Sequence, residues 1–477
     1  MKRIVIIGGG ISGLSTAYSL VEHAREQGVT GLDITLIERS GRTGGNIVTE
    51  KRDGFLIEGG PDCFLSEKPW AMELCKKLGL GDRLLSTTAP RGRTFVLSGG
   101  RLHLLPEGVI LMVPTRILPF LTSGLITLPG KIRMGLELFV PRRTEKGDES
   151  LEAFVTRRLG REALDKIAEP LVAGVHAGEP ETMSVRSSFP KFVEMEETHG
   201  SLIKGMLAKM KGMRKPPEPS GGGGEGGPRL TMFMTLEGGL TELVEALLQR
   251  LDGVTIKTGT AVDSIRRRHG GWEVEIAGGP PIEADAVVAA TPAYVTSRFL
   301  EGLDDLLVEK LVSIPYVSTA TVSIGYKRED IKHPLDGFGF VVPRTEKRRI
   351  MAATWSSVKW AGRAPEDKVL IRCFVGGTNR SDLVSLGDEE TTKMVREELS
   401  DIMGIDAEPL FVRIFRWKSS MPQYTIGHGE RIESIEGLTA NHPGLYLTGS
   451  AYHGIGISDT VREAEATAKK VLGYLGG

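Results

Sequence analysis

Gly8, Gly10 and Gly13 stand in G-x-G-x-x-G spacing between an apolar run, RIVII, and an amphipathic one, ISGLSTAYSLVEHA. The first glycine allows a tight turn, the second lets backbone approach a pyrophosphate, and the third lets helix and strand pack closely. Gly9, Ile11 and Ser12 complete the turn. A helix starting there presents open N–H groups and the positive end of its dipole to phosphates. Glu38 ends a second apolar run, LDITLIE, where a carboxylate can accept two ribose hydroxyls. Strand, glycine turn, helix, strand and acid together predict dinucleotide binding.

The next residues, ERSGRTGGN, decide which dinucleotide. Gly44 and Gly45 have no part in adenine recognition. They let a second stretch of backbone pass close to the ligand, and Arg42 can pair with a phosphate. A further turn, IEGGPDCF, with Gly60 and Pro61, adds another close approach. NAD needs one such crossing, whereas a longer ligand threaded through the domain needs several, so FAD is favoured. A third glycine turn stands near the C-terminus, in LYLTGSAYHGIGISDTVREAEATAKKVL, again between a strand and a helix.

Glu38-x-x-x-Arg42-x-Gly44-Gly45 resembles the flavin signature of the amine oxidase and porphyrinogen oxidase superfamily. The resemblance implies that Gly449 and Ser450 approach the phosphate and ribityl side of FAD. It puts Ile455, Gly456 and Ile457 near the isoalloxazine, with the last helix starting near Ser458 and Asp459. Arg39, Asn46, Val262 and Trp417 complete the expected cofactor contacts. First and last segments of the chain then share one domain.

Within that superfamily, IEGGPDCFLSEKP, EPLVAGVHAGEPETMSVRSSFP, GFGFVVP, TWSSVKW, CFVGGTNR and RWKSSMPQYTIGH resemble the porphyrinogen oxidases, over nearly the whole chain. This implies a porphyrinogen substrate and oxygen as acceptor. A hydride leaves a meso carbon for the flavin, and three rounds yield the porphyrin and peroxide. The family's active-site glycine falls on Gly174, its pyrrole-stacking aromatic on Phe374, and two ring-flanking positions on Val341 and Thr354. No general base is implied, and His176 and His453 are read as packing or backbone partners. The family's propionate-pairing arginine falls on Thr94. Arg93 is its neighbour, and strand parity points the two to opposite faces, so Arg93 serves only if the strand shifts. A small hydroxyl residue there, and TWSSVKWAGRAPEDK, resemble the coproporphyrinogen type. Coproporphyrinogen III is thus slightly favoured over protoporphyrinogen IX. Four propionates ask for more cations, with Arg91, Arg93, Lys359 and Arg363 as candidates. Hand-off to a ferrochelatase and a homodimer are further expectations of the resemblance.

Other readings stay open. An FAD-dependent amine oxidase would need an aromatic cage, for which Tyr452 and Trp417 are candidates. A phytoene-type desaturase would want a wholly apolar tunnel. A flavin or porphyrin carrier would bind FAD without substrate-linked reduction.

The elements that must position these residues are legible in outline. The chain has 477 residues, 40% hydrophobic and 25% charged, as in ordinary globular proteins. With 60 basic and 61 acidic residues it carries no field that would favour nucleic acid. Cys63, Cys75 and Cys373 fit no metal or disulfide framework, so reduced thiols in a cytoplasmic protein, and no metal, are expected. MKRIVIIGGG reads as a strand rather than a signal peptide, and no apolar run is long enough to span a bilayer.

The expected fold is α/β: a Rossmann-like, GR2-type FAD-binding domain from 1–85, 231–298 and 419–477. A mixed-sheet substrate domain takes 86–110 and 299–418, and a helical domain 111–205. Leu104–Val140 is apolar, and Pro106, Pro114, Pro119 and Pro129 forbid one long helix there. With Arg116, Lys131 and Arg133 interspersed, it reads either as helical core or as a surface resting on the inner face of a membrane. Residues 206–230, with KPPEPSGGGGEGGPR, read as a flexible loop.

Overall fold

The computed structural model describes residues 1–88, 92–106, 109–110, 113–114, 117–212 and 231–476. Arg91, Arg116 and residues 213–230 of the expected loop lie outside the described residues, whereas 206–212, expected in that loop, continue the Leu202–Gly212 helix. The chain divides into two compact units. One comprises Met1–Thr87, Pro228–Pro315 and Glu430–Gly477, and the other Thr88–Gly227 and Tyr316–Gly429.

The first unit is built on a five-stranded parallel sheet. Its order is Val254–Lys257, Leu32–Ile37, Lys2–Ile7, Ala286–Ala289, Leu445–Leu447. Ile4, Val5, Ile6 and Ile7 are buried on both faces of the central strand, as a parallel sheet covered by helices requires. The Ile11–Gln27 helix ends where Gly28, at φ 66°, turns left-handed and caps the carbonyls of Ala24 and Arg25. It packs against the Ile457–Gly476 helix, with Leu14, Ala17 and Leu20 in one core with Val461, Ala468 and Val471. The two ends of the chain therefore do meet in one unit. A small antiparallel sheet, Val262–Arg268, Gly271–Ile276 and Ile282–Ala284, completes the frame, with Val262 at a register shift.

The second unit holds a seven-stranded mixed sheet. Its order is Phe411–Pro422, Tyr316–Lys327, Lys368–Gly376, Ala352–Trp355, Gly339–Val341, Thr94–Ser98, Arg101–Leu104. Alternation along each strand separates two cores. Val322, Ile324, Phe340, Trp355, Ile371, Cys373 and Val375 pack with Met394, Val395 and Leu399 of the Asp388–Met403 helix. On the other face Val96, Val341 and Ala352 pack with Phe120, Phe154, Ile167, Val172 and Phe192 from helices between 117 and 212, and with Leu125 from the bend after the first of them. The proline-punctuated stretch is broken up, with Ile117–Thr122, Leu128–Gly135 and Leu136–Phe139 as separate short helices. Pro170 lacks the amide that would bond back one turn, and the preceding Leu164–Ala168 segment widens into a π-helix before Glu169–His176. Among the described residues no helix is long and apolar enough to cross a membrane.

Candidate active site

The first glycine turn leaves no spare room where packing needs it and free space where a ligand would sit. Gly8 has φ 108°, and a Cβ on Gly13 would lie 1.9 Å from the Gly8 carbonyl oxygen. A Cβ on Gly10 would meet nothing nearer than Gly45 Cα, at 3.9 Å. The Ile11–Gln27 helix starts from Gly10 with no side chain capping it, so its first-turn amides have no intrahelical acceptor. The second glycine pair closes on this turn. Gly44 N–H donates to Gly9 O at 2.8 Å, Gly44 bridges Gly10, and a Cβ on Gly45 would stand 3.1 Å from Gly10 Cα. A Cβ on Gly60 would collide with Asn46 O at 1.7 Å, which fixes Gly60 and Pro61 against the same loop.

Two charged side chains hold the cradle from within. Glu38 Oε2 accepts the Gly9 N–H at 2.7 Å, and Oε1 accepts the Ser40 N–H and hydroxyl, each at 2.7 Å. A carboxylate has about four lone-pair sites, and with three taken about one remains for a ribose hydroxyl. The Arg42 guanidinium donates to the carbonyls of Gly45 at 2.6 Å, Thr43 at 3.1 Å and Ile47 at 3.3 Å, and so braces the glycine pair. Arg39, next to Glu38, is exposed.

The C-terminal turn arrives beside the same helix start. Ser12 Oγ donates to Thr448 Oγ1 at 3.4 Å, and a Cβ on Gly449 would lie 3.6 Å from Ser12 Oγ. Ser450 follows. Beyond Ile455 and Gly456 the last helix begins at Ile457, and Lys68 Nζ meets Asp459 Oδ2 in its first turn at 2.5 Å. His453 Nε2 lies 2.9 Å from Glu436 Oε1, a tie between neighbouring segments. Of the expected cofactor residues, Trp417 alone stands in the second unit, opposite Thr319 in its sheet. An uncapped helix start, two glycine backbones in contact and an acid at the end of the second strand fit a dinucleotide of the length of FAD.

In the second unit, register gathers the substrate-facing candidates. Phe374 lies opposite Ala352, which lies opposite Val341, which lies opposite Val96. One rung along, Arg372, Thr354, Gly339 and Thr94 form a parallel row on the same face. A Cβ on Gly174 would stand 3.5 Å from Val341 Cγ1. Gly174, Val341, Phe374 and Thr354 thus belong to one surface.

Sequence reasoning missed Arg372. It is buried, with its guanidinium carbon 4.9 Å from the Phe374 ring centroid. Its position two residues before Phe374 in an alternating strand was the available signal. Thr94 stands in the Thr354 row. Arg93 sits one residue outside the strand, 57% exposed, and pairs with Asp336 at 2.7 Å. The strand from Thr94 runs in unbroken register, so parity keeps the two residues apart. Lys359 and Arg363 are both buried rather than surface cations. His176 packs its ring against Phe189, and its carbonyl accepts from Gln423 Nε2 at 3.0 Å. Burial pushes the Cys75 thiol up to about 12 and raises Cys373 too, so both remain protonated packing groups. Among the described residues no group of His, Cys, Asp or Glu could hold a metal.

The flavin containing amine oxidoreductase family matches residues 11–472. Coproporphyrinogen III oxidase of Bacillus subtilis (strain 168) is 36% identical over 476 residues, covering 99% of this chain and 98% of the relative. Coproporphyrinogen III oxidase of Staphylococcus aureus (strain NCTC 8325 / PS 47) is 34% identical over 478 residues, covering 99% and 100%. A crystal structure from Exiguobacterium sp. 255-15, named for protoporphyrinogen oxidase, superimposes with a TM-score of 0.85 at 33% identity, covering 100% of this chain and 99% of that one. With the family match running from the first residue of the Ile11–Gln27 helix into the last helix, the chain belongs to the flavin-containing amine oxidoreductases.

Proposed function

We propose that this protein is an FAD-dependent oxidase that converts a porphyrinogen to its porphyrin in haem biosynthesis. Six electrons leave the macrocycle in three rounds, and three molecules of oxygen become three of hydrogen peroxide. Bound FAD supplies the acceptor for each hydride and passes the electrons on to oxygen.

The observation that carries this reading is the sheet face formed by Phe374, Val341 and Thr354 with Gly174 beside it. It is an apolar wall with a buried cation, Arg372, one rung away. A flexible, largely apolar ring bearing carboxylates asks for that combination. Gly174 leaves the helix surface open to the ring. Phe374 offers an aromatic face to a pyrrole, and Val341 and Thr354 limit its slide along the sheet. No side chain is asked to act as general base, and positioning supplies the chain's share of catalysis.

Coproporphyrinogen III is the favoured substrate over protoporphyrinogen IX. Thr94 in place of a propionate-pairing arginine supports it, as do the names of the Bacillus and Staphylococcus relatives. In the cell the protein works in the cytoplasm with peripheral contact to the inner face of the membrane. The exposed apolar side chains Leu118, Leu121, Leu128, Ile132, Leu136 and Phe139 support that contact, with Lys131 and Arg133 among them. A homodimer and hand-off of the product to a ferrochelatase belong to the same proposal. Anaerobic bleaching of the bound flavin by coproporphyrinogen III tests the activity, and bleaching by an amine instead would replace it with the amine oxidase reading.

A further inference from the structure

A cavity of about 80 Å³ lies in the second unit against the Glu169–His176 helix. Its walls continue the elements that carry the substrate-facing residues. Ala173 adjoins Gly174, Val342 to Arg344 follow Val341, and Gly376 to Arg380 follow Phe374. It therefore opens one rung beyond that surface, at the same end of three neighbouring strands. Its volume matches two or three waters, too little for a macrocycle and enough for one carboxylate arm.

The lining is cationic. Arg344, Arg348, Arg349 and Arg380 contribute, against Glu169 and Glu179. Three of the arginines are committed elsewhere: Arg344 to Glu181, and Arg348 and Arg349 to a shared Glu398. Among the described residues Arg380 has only Asp382 within ion-pair range, at 3.9 Å, and keeps donors to spare. Glu169 is 5% exposed and accepts the Arg344 N–H at 3.1 Å.

We propose that this cavity is a subsite for one carboxylate arm of the tetrapyrrole, with Arg380 and Glu169 as its two partners. The proposal rests on the porphyrinogen reading and adds where one arm is held. Arg380 supplies the charge. Glu169, which burial pushes up to about 7, donates its O–H to the arm while protonated and repels it once ionised. The other charged groups facing Glu169 are Arg344 and Glu181 beside it and Asp165 from the preceding turn, with Glu179, Arg348, Arg349 and Arg380 lining the same cavity. Binding should therefore weaken as pH rises through neutrality.

The test is anaerobic flavin reduction by coproporphyrinogen III and by its tetramethyl ester, between pH 6 and pH 8.5, in wild type, R380Q and E169Q. The wild-type KM for the acid should rise about tenfold across that range, and R380Q should raise KM about tenfold with kcat little changed. E169Q keeps a donor amide, so it should hold the low-pH KM and lose the pH dependence. The ester should be indifferent to R380Q. Wild-type KM values and pH profiles in both variants, with normal bleaching, would overturn the subsite. No bleaching in wild type would overturn the porphyrinogen reading on which it rests.

Discussion

A Cβ built on Gly174 lies 3.5 Å from Val341 Cγ1, an ordinary van der Waals contact rather than a clash. Gly174 is therefore not held as glycine by its own packing. In a helix, alanine is favoured over glycine by about 1 kcal/mol. Gly174→Ala should keep or slightly raise the melting temperature while lowering kcat/KM for the porphyrinogen at least about tenfold, because the methyl would stand where the proposed function puts the ring. Thermal melting beside flavin-reduction kinetics checks both halves. A variant that melts earlier would make Gly174 a packing residue.

Gly10 and Gly13 should separate in the same way. Gly13→Ala drives a methyl to within 1.9 Å of the Gly8 carbonyl, a backbone atom that cannot step aside. Its expected cost is about 3 kcal/mol or more, with loss of soluble yield. Gly10 has φ −72° and ψ −179°, which alanine adopts, and open space at its Cβ. Gly10→Ala should fold normally and retain little flavin after gel filtration, as read from the visible spectrum.

Asp459 joins the first turn of the last helix to Lys68 at 2.5 Å, with the aspartate 5% and the lysine 40% exposed. The carboxylate also sits where the helix dipole favours an anion. Asp459→Ala should cost about 1–2 kcal/mol, and should speed flavin release by loosening the turn from Gly449 to Ile457. Stopped-flow flavin fluorescence measures the release rate.

Glu169 predicts a pH dependence of stability. Burial, opposed by the Arg344 N–H and charge, raises it from an ordinary 4.5 to about 7. A carboxyl raised on folding favours the folded state below pH 4.5, and that contribution is lost as pH rises through about 7. Wild type should lose about 3 kcal/mol between pH 4.5 and pH 8 that Glu169→Gln does not lose. Urea denaturation of both proteins at the two pH values gives the comparison.

The cofactor cradle was legible because its signals are local. Gly8, Gly10, Gly13 and Glu38 lie within about thirty residues, and glycine is demanded by sterics that any sequence shows. The second crossing at Gly44 and Gly45 was legible for the same reason. Arg42 was placed in the right loop, yet its donors turn to the Gly45, Thr43 and Ile47 carbonyls, a choice that only the folded loop reveals. The residues of the candidate substrate face could be named one at a time, through resemblance, but the rows they form could not. Phe374, Ala352, Val341 and Val96 become neighbours through long-range register, which no single strand specifies. Arg372 was hidden by this, and so was the burial of Glu169 at the start of its helix, which the sequence alone does not specify.

The most direct measurement is the rate of flavin bleaching when the purified protein, its flavin spectrum recorded, is mixed anaerobically with coproporphyrinogen III and, separately, protoporphyrinogen IX. Fast bleaching with the tetracarboxylate, and slower bleaching with the dicarboxylate, is the expected result. A bound flavin that neither porphyrinogen bleaches would contradict porphyrinogen oxidation and leave an amine or a polyene as the substrate to seek.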